Sequence, residues 1–132
     1  HTFADEYINA AINASEHYDF SVLDTFYTLK TGTGEPVTSD KVLIAINRSS
    51  KIPMFSVTDY AVGENAAVGA MSMSMEKHGA DAAELTKEIL TPGKFKTRYL
   101  STQSDIFVFN KPMLDRYKLI LPPELLDQVI YR

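Results

Sequence analysis

Residues 51–63 read KIPMFSVTDYAVG. The first half has the composition of a buried strand: Ile52, Pro53, Met54, Phe55 and Val57. The second half turns polar and aromatic at once, with Thr58, Asp59 and Tyr60, and Gly63 closes it. In an open parallel sheet the ligand crevice lies outside the carboxyl ends of the strands. An apolar run that delivers a carboxylate and a phenol at its C-terminal end therefore reads as a strand feeding a binding rim.

The flanking segments make the fold. Upstream, FSVLDTFYTLK (20–30) is rich in β-branched and aromatic residues and predicts a strand ending at Tyr27, Thr28 and Lys30. Before it, Phe3, Tyr7, Ile8, Ala11 and Ile12 share one face of a helix over residues 4–16. After the TGTGEP loop (31–36), Thr38 or Ser39 caps a helix with Val42, Leu43 and Ile46 on its buried face, ending near Ser49 and Ser50. Downstream, VGAMSMSM (68–75) predicts a third strand, with Met71, Met73 and Met75 either an adaptable ligand wall or one buried face. The apolar stripe Ala82, Leu85 and Ile89 predicts a helix after Gly79, closed by Thr91-Pro92-Gly93. FKTRYLS (95–101) and DIFVFN (105–110) read as extended. Asn110 caps a short helix carrying Met113, Leu114 and Tyr117, with Pro112 in its first turn, and LPPELLDQVI predicts a last helix. Strand and helix alternate, so the expected fold is α/β, a parallel sheet with crossover helices in a single domain over 1–132.

Composition narrows the function. The 132 residues are 45% hydrophobic and 23% charged, which suits a packed domain, and no apolar stretch is long enough to cross a bilayer. The net charge of −4 argues against a nucleic-acid partner, and so reads the basic-aromatic KFKTRY (94–99) as an edge strand. With no cysteine, disulfides, thiolate metal sites and cysteine nucleophiles are excluded. His78 beside Glu76 does not make a metal site, and HExxH is absent. GxSxG, GxxxxGK[ST] and a complete GxGxxG are absent as well, so neither an enzyme nor a cofactor is expected. The opening HTFADEYINAAINA already reads as helix and has no signal-peptide pattern, as in a processed chain or one cut from something longer.

The ordered set Tyr27-Thr28-Leu29-Lys30, Ile52-Pro53-Met54-Phe55 and Asp59-Tyr60-Ala61-Val62-Gly63 resembles bacterial ABC-transporter substrate-binding proteins. The subfamily is the type I periplasmic one of tryptophan/tyrosine type or unknown substrate. VGAMSMSMEKHG and FVFNKPMLDRYKLILPPELL continue the resemblance, which covers roughly residues 20–130. It implies the C-terminal lobe and tail of a type I periplasmic-binding-protein fold, about half of a two-lobed receptor, with residues 77–92 belonging to the other lobe's helix layer. It also implies a periplasmic or extracytoplasmic location, lipid-anchored in full-length form, and a membrane permease as partner. The expected function is capture of a small polar or aromatic solute, amino-acid-like or otherwise, in an interlobe cleft. An extracytoplasmic sensor domain working with a signalling partner, and a small α/β enzyme or self-associating domain, stand as alternatives. An incomplete lobe also makes a homodimer an expected state.

Six residues are the candidate ligand contacts. Asp59 anchors an amine or hydroxyl, or else bonds its own turn. Tyr27 and Tyr60 form apolar walls, or else cap the core, and Thr28 donates a hydrogen bond or shares their structural role. Ser74 and Glu76 sit where the third strand meets the hinge, and Glu76 either touches ligand or complements the next helix's dipole.

Overall fold

The structure is a computed structural model and describes residues 3–93 and 105–132. The segments KFKTRY and FKTRYLS lie outside the described residues. Helix α1 (Ala4–Asn13) runs into a 3-10 turn, Ala14–Glu16. Strand β1 is Ser21–Leu23, α2 is Ser39–Ser49, β2 is Met54–Ser56 and β3 is Gly69–Met73. Helix α3 is Met75–Leu90, β4 is Asp105–Phe109, α4 is Lys111–Tyr117 and β5 is Val129–Tyr131. The five strands form one sheet in the order β1-β2-β3-β4-β5. The pairs β1–β2, β2–β3 and β4–β5 are parallel. This is the α/β fold expected from the sequence.

Register explains the burial pattern. Leu23 pairs with Ser56, which pairs with Ala70, and all three are buried. Val22 pairs with Phe55, which pairs with Gly69, on the opposite face. The core draws Val42, Leu43 and Ile46 from α2 and Met54 from β2, and α2 packs on α1. A second cluster joins Val68, Phe109, Met113 and Leu114. Gly69 is required there, because a Cβ at that position would overlap the Phe109 ring.

Two buried asparagines tie distant segments together. Asn47, 1% exposed, donates to the Ala66 carbonyl at 2.8 Å. Its Oδ1 accepts from Arg116 Nη1 at 2.7 Å, and Arg116 also lies over the Tyr117 ring. Asn110 is the N-cap of α4, its Oδ1 accepting from the Met113 amide at 3.1 Å, as the sequence predicted. Its Nδ2 donates to the Arg132 carbonyl at 2.7 Å.

Two expectations fail here. The strand predicted over 20–30 stops at Leu23; from there the chain forms a loop anchored by Phe26 and Leu29, 0% and 3% exposed. Three-residue spacing of buried side chains suits a turn and breaks the alternation of a strand. The last predicted helix is a 3-10 turn, Pro123–Gln128, followed directly by β5. Val129, Ile130 and Tyr131 are β-formers, and they pair with Phe107, Val108 and Phe109.

The chain divides into two compact units, His1–Ser72 with Phe107–Arg132, and Met73–Ile106. In the second, Ser74 caps α3 by accepting from the Lys77 amide at 3.3 Å, and the helix therefore starts before Gly79. None of the α3 residues is buried, and Ile89 is exposed.

Candidate functional site

The rim begins where β2 ends. Ser56 Oγ accepts from the Thr58 amide at 3.2 Å and shares a hydrogen bond of 3.1 Å with the Thr58 hydroxyl. A hydroxyl that bonds the backbone two residues on competes with the ladder and turns the chain. A 3-10 turn, Asp59–Ala61, follows, closed by the Val62 amide donating to the Asp59 carbonyl at 3.1 Å. Ala61 is fully buried and pins the turn, while the Tyr60 ring stays 52% exposed. This is how the apolar run hands Asp59 and Tyr60 to the carboxyl end of the sheet.

Tyr27 joins them by a different route from the one expected. It lies four residues beyond β1, in the loop that buries Phe26. The Phe26 ring is the shared support: Tyr27 meets it edge-on with centroids 5.9 Å apart, and Tyr60 meets it tilted by 40°, also at 5.9 Å. Two half-exposed tyrosines thus flank one buried ring, a rigid apolar surface with two polar tips. Thr28 is exposed on the same loop.

Asp59 is already engaged. Arg132 Nη2 donates to Asp59 Oδ2 at 2.6 Å and Nη1 donates to the Asp59 carbonyl at 2.8 Å. Arg132 was missed in the sequence because its partner is distant in the chain and no local pattern marks it. Its backbone is held by donation to the Phe109 carbonyl at 2.9 Å and by the Asn110 amide. The pair is partly exposed, so it contributes only about 0–1 kcal/mol and leaves the carboxylate open to exchange.

Ser74 and Glu76 belong to the other compact unit, as the N-cap and first turn of α3. There Glu76 complements the helix dipole. The methionine run is not one buried face: Met71 and Met73 are 56% and 53% exposed, and Met75 is in α3. Among the described residues no group of three or more His, Asp or Glu side chains is placed to hold a metal ion. Among them, too, no helix is long and apolar enough to cross a membrane.

Neither a protein-family model nor a curated protein matches the sequence. Two solved structures share the fold. A conserved domain protein from Vibrio cholerae superposes with a TM-score of 0.61 at 16% identity, over 98% of this chain and 41% of the other. An ABC domain in complex with L-Trp from Streptococcus pneumoniae superposes with a TM-score of 0.60 at 12% identity, over 98% of this chain and 42% of the other. What they share with this chain is the α/β fold described above. The chain spans about two fifths of the length of each of these structures.

Proposed function

We propose that this chain is part of a solute-binding protein of a bacterial importer, acting outside the cytoplasm without catalysis. It would supply one wall of a cleft that closes on a small polar or aromatic molecule. The observation that carries this reading is the rim itself: Tyr27 and Tyr60 around Phe26, with Asp59 in the adjoining turn. Such a surface recognises a flat apolar body by its rings and a polar head by its carboxylate. The L-Trp in the Streptococcus pneumoniae structure is a ligand of that kind and supports the reading. Thr28 supplies a hydroxyl to the same rim, and Ser74 and Glu76 act at the start of α3. Ligand contact with both walls shifts an open–closed equilibrium, and the closed form is what a membrane permease reads.

The test is a titration of the 132-residue chain with aromatic amino acids, followed by amide NMR. One wall alone binds weakly, so shifts centred on residues 26–28 and 58–61 appear at roughly millimolar ligand. Asp59→Asn abolishes them without unfolding the chain. Absence of shifts at these residues refutes the reading, as does sub-micromolar binding by the monomer. A turnover activity lost in Asp59→Asn transfers the site to an enzyme.

A further inference from the structure

Arg132 brings a second charge to the rim. Its Nη2 donates to Asp59 Oδ2 at 2.6 Å and its Nη1 to the Asp59 carbonyl at 2.8 Å. These bonds use two of a guanidinium's five N–H donors and one of the two carboxylate oxygens. Among the described residues, no hydrogen bond reaches Asp59 Oδ1 or leaves Arg132 Nε. The two side chains are 32% and 45% exposed. The pair therefore presents an open acceptor and open donors side by side.

Both charges are held from the backbone. The Asp59 carbonyl also accepts from the Val62 amide at 3.1 Å, which closes the 3-10 turn. Arg132 follows β5 directly, its amide donating to the Phe109 carbonyl at 2.9 Å and its carbonyl accepting from Asn110 Nδ2 at 2.7 Å. Tyr60, next in the chain to Asp59, packs on the Phe26 ring. The charge pair thus adjoins the aromatic surface through one short turn, as a preorganised head-group site.

The signs of the charges decide what fits. Asp59 by itself attracts any amine. With Arg132 bonded to it, a lone ammonium meets attraction and repulsion at similar distances, and the two largely cancel. A lone carboxylate meets the same cancellation with the signs reversed. A head group with both charges turns so that each meets its opposite, and it gains both attractions.

We propose that Arg132 is a specificity-determining residue that restricts the rim to zwitterionic head groups. The ligand's ammonium goes to Asp59 Oδ1 and its carboxylate to the remaining N–H donors of Arg132. This rests on the reading of the rim as a solute site, and it adds a contact that Asp59 and the tyrosines do not supply.

An NMR titration of the 132-residue chain with L-phenylalanine, 2-phenylethylamine and 3-phenylpropionate at pH 6 tests this. The three share one ring and are zwitterion, cation and anion. With phenylalanine, shifts are expected at residues 26–28 and 58–61 and at the Arg132 Nε–H. The other two ligands bind at least about fivefold more weakly, the scale of one lost charge contact at an exposed site. Arg132→Gln reorders the series: phenylalanine and phenylpropionate weaken, while phenylethylamine tightens because the Asp59 charge is no longer balanced. A purely structural role for Arg132 would weaken all three together. The wild-type series decides even if the glutamine variant does not fold. Rim shifts with phenylethylamine or phenylpropionate at an affinity within about twofold of phenylalanine overturn the role of Arg132 and leave the rim as a solute site. So does a glutamine variant that keeps the wild-type order. Absence of rim shifts with all three overturns the solute site and this inference together.

Discussion

Replacing Asn47 by alanine tests whether one amide holds α2, the loop before β3 and α4 together. The side chain is 1% exposed, so water does not replace what is lost. Its Nδ2 satisfies the Ala66 carbonyl at 2.8 Å, and its Oδ1 accepts from the Arg116 guanidinium at 2.7 Å. A hydrogen bond to a charged group contributes about 1.5–3 kcal/mol, and an orphaned buried acceptor costs about 1–3 kcal/mol. The second Arg116 contact, to the Asn47 carbonyl at 3.3 Å, survives the substitution and offsets part of this. The expected loss is about 3 kcal/mol, a large share of the roughly 5–15 kcal/mol that holds a domain of this size. Urea unfolding followed by circular dichroism measures it. Asn47→Asp keeps an acceptor for Arg116 but sets a second buried acceptor oxygen against the Ala66 carbonyl, so it too is less stable than wild type. In a double-mutant cycle, Asn47→Ala and Arg116→Met couple by about 1 kcal/mol or more. An alanine variant within about 0.5 kcal/mol of wild type, or additive single variants, refutes the reasoning.

Three further outcomes are expected. Gly69→Ala drives a methyl group into the Phe109 ring and costs about 1–3 kcal/mol in urea unfolding, with Phe109→Leu partly rescuing it. Gly79→Ala, inside α3 with open space around the new Cβ, increases the stability of that helix by about 0.5–1 kcal/mol, read by hydrogen exchange. Burial, and secondarily the Asp24 carboxylate, raises the Tyr7 phenol above its ordinary pKa of 10.0. The native state then keeps a proton that the unfolded chain gives up. Its contribution is intact below pH 10 and is lost as the pH climbs through the raised native value. Stability measured from pH 8 to pH 11.5 falls more steeply for wild type than for Tyr7→Phe.

The parts of the fold legible in sequence are those where periodicity and capping agree. Val42, Leu43 and Ile46 repeat at helical spacing behind Thr38, and α2 starts one residue later, although Thr38 holds the N-cap position without a side-chain cap bond. Asn110 before Pro112 marked α4 because cap and proline chemistry are local. The failures were non-local. Phe26 and Leu29 look like strand residues, yet they are buried as loop anchors, Phe26 in contact with the Tyr27 and Tyr60 rings. β5 is three residues long, too short for alternation to show, and its pairing with β4 fixes it. The aromatic part of the rim was readable because Asp59 and Tyr60 follow an apolar run. Arg132 was not, since only the folded sheet brings it to Asp59.

The double use of Asn110 has a kinetic consequence. One amide closes the first turn of α4 through the Met113 N–H and also holds the end of β5 through the Arg132 carbonyl. A local opening that frees either partner weakens the hold on the other, so the short helix and the closing strand should behave as one cooperative unit. The amides of Met113 and Arg132 would then share an opening free energy in native-state exchange. A protease that engages the tail would meet the helix as well, and clipping β5 would unlatch both Asp59 and α4 in a single event.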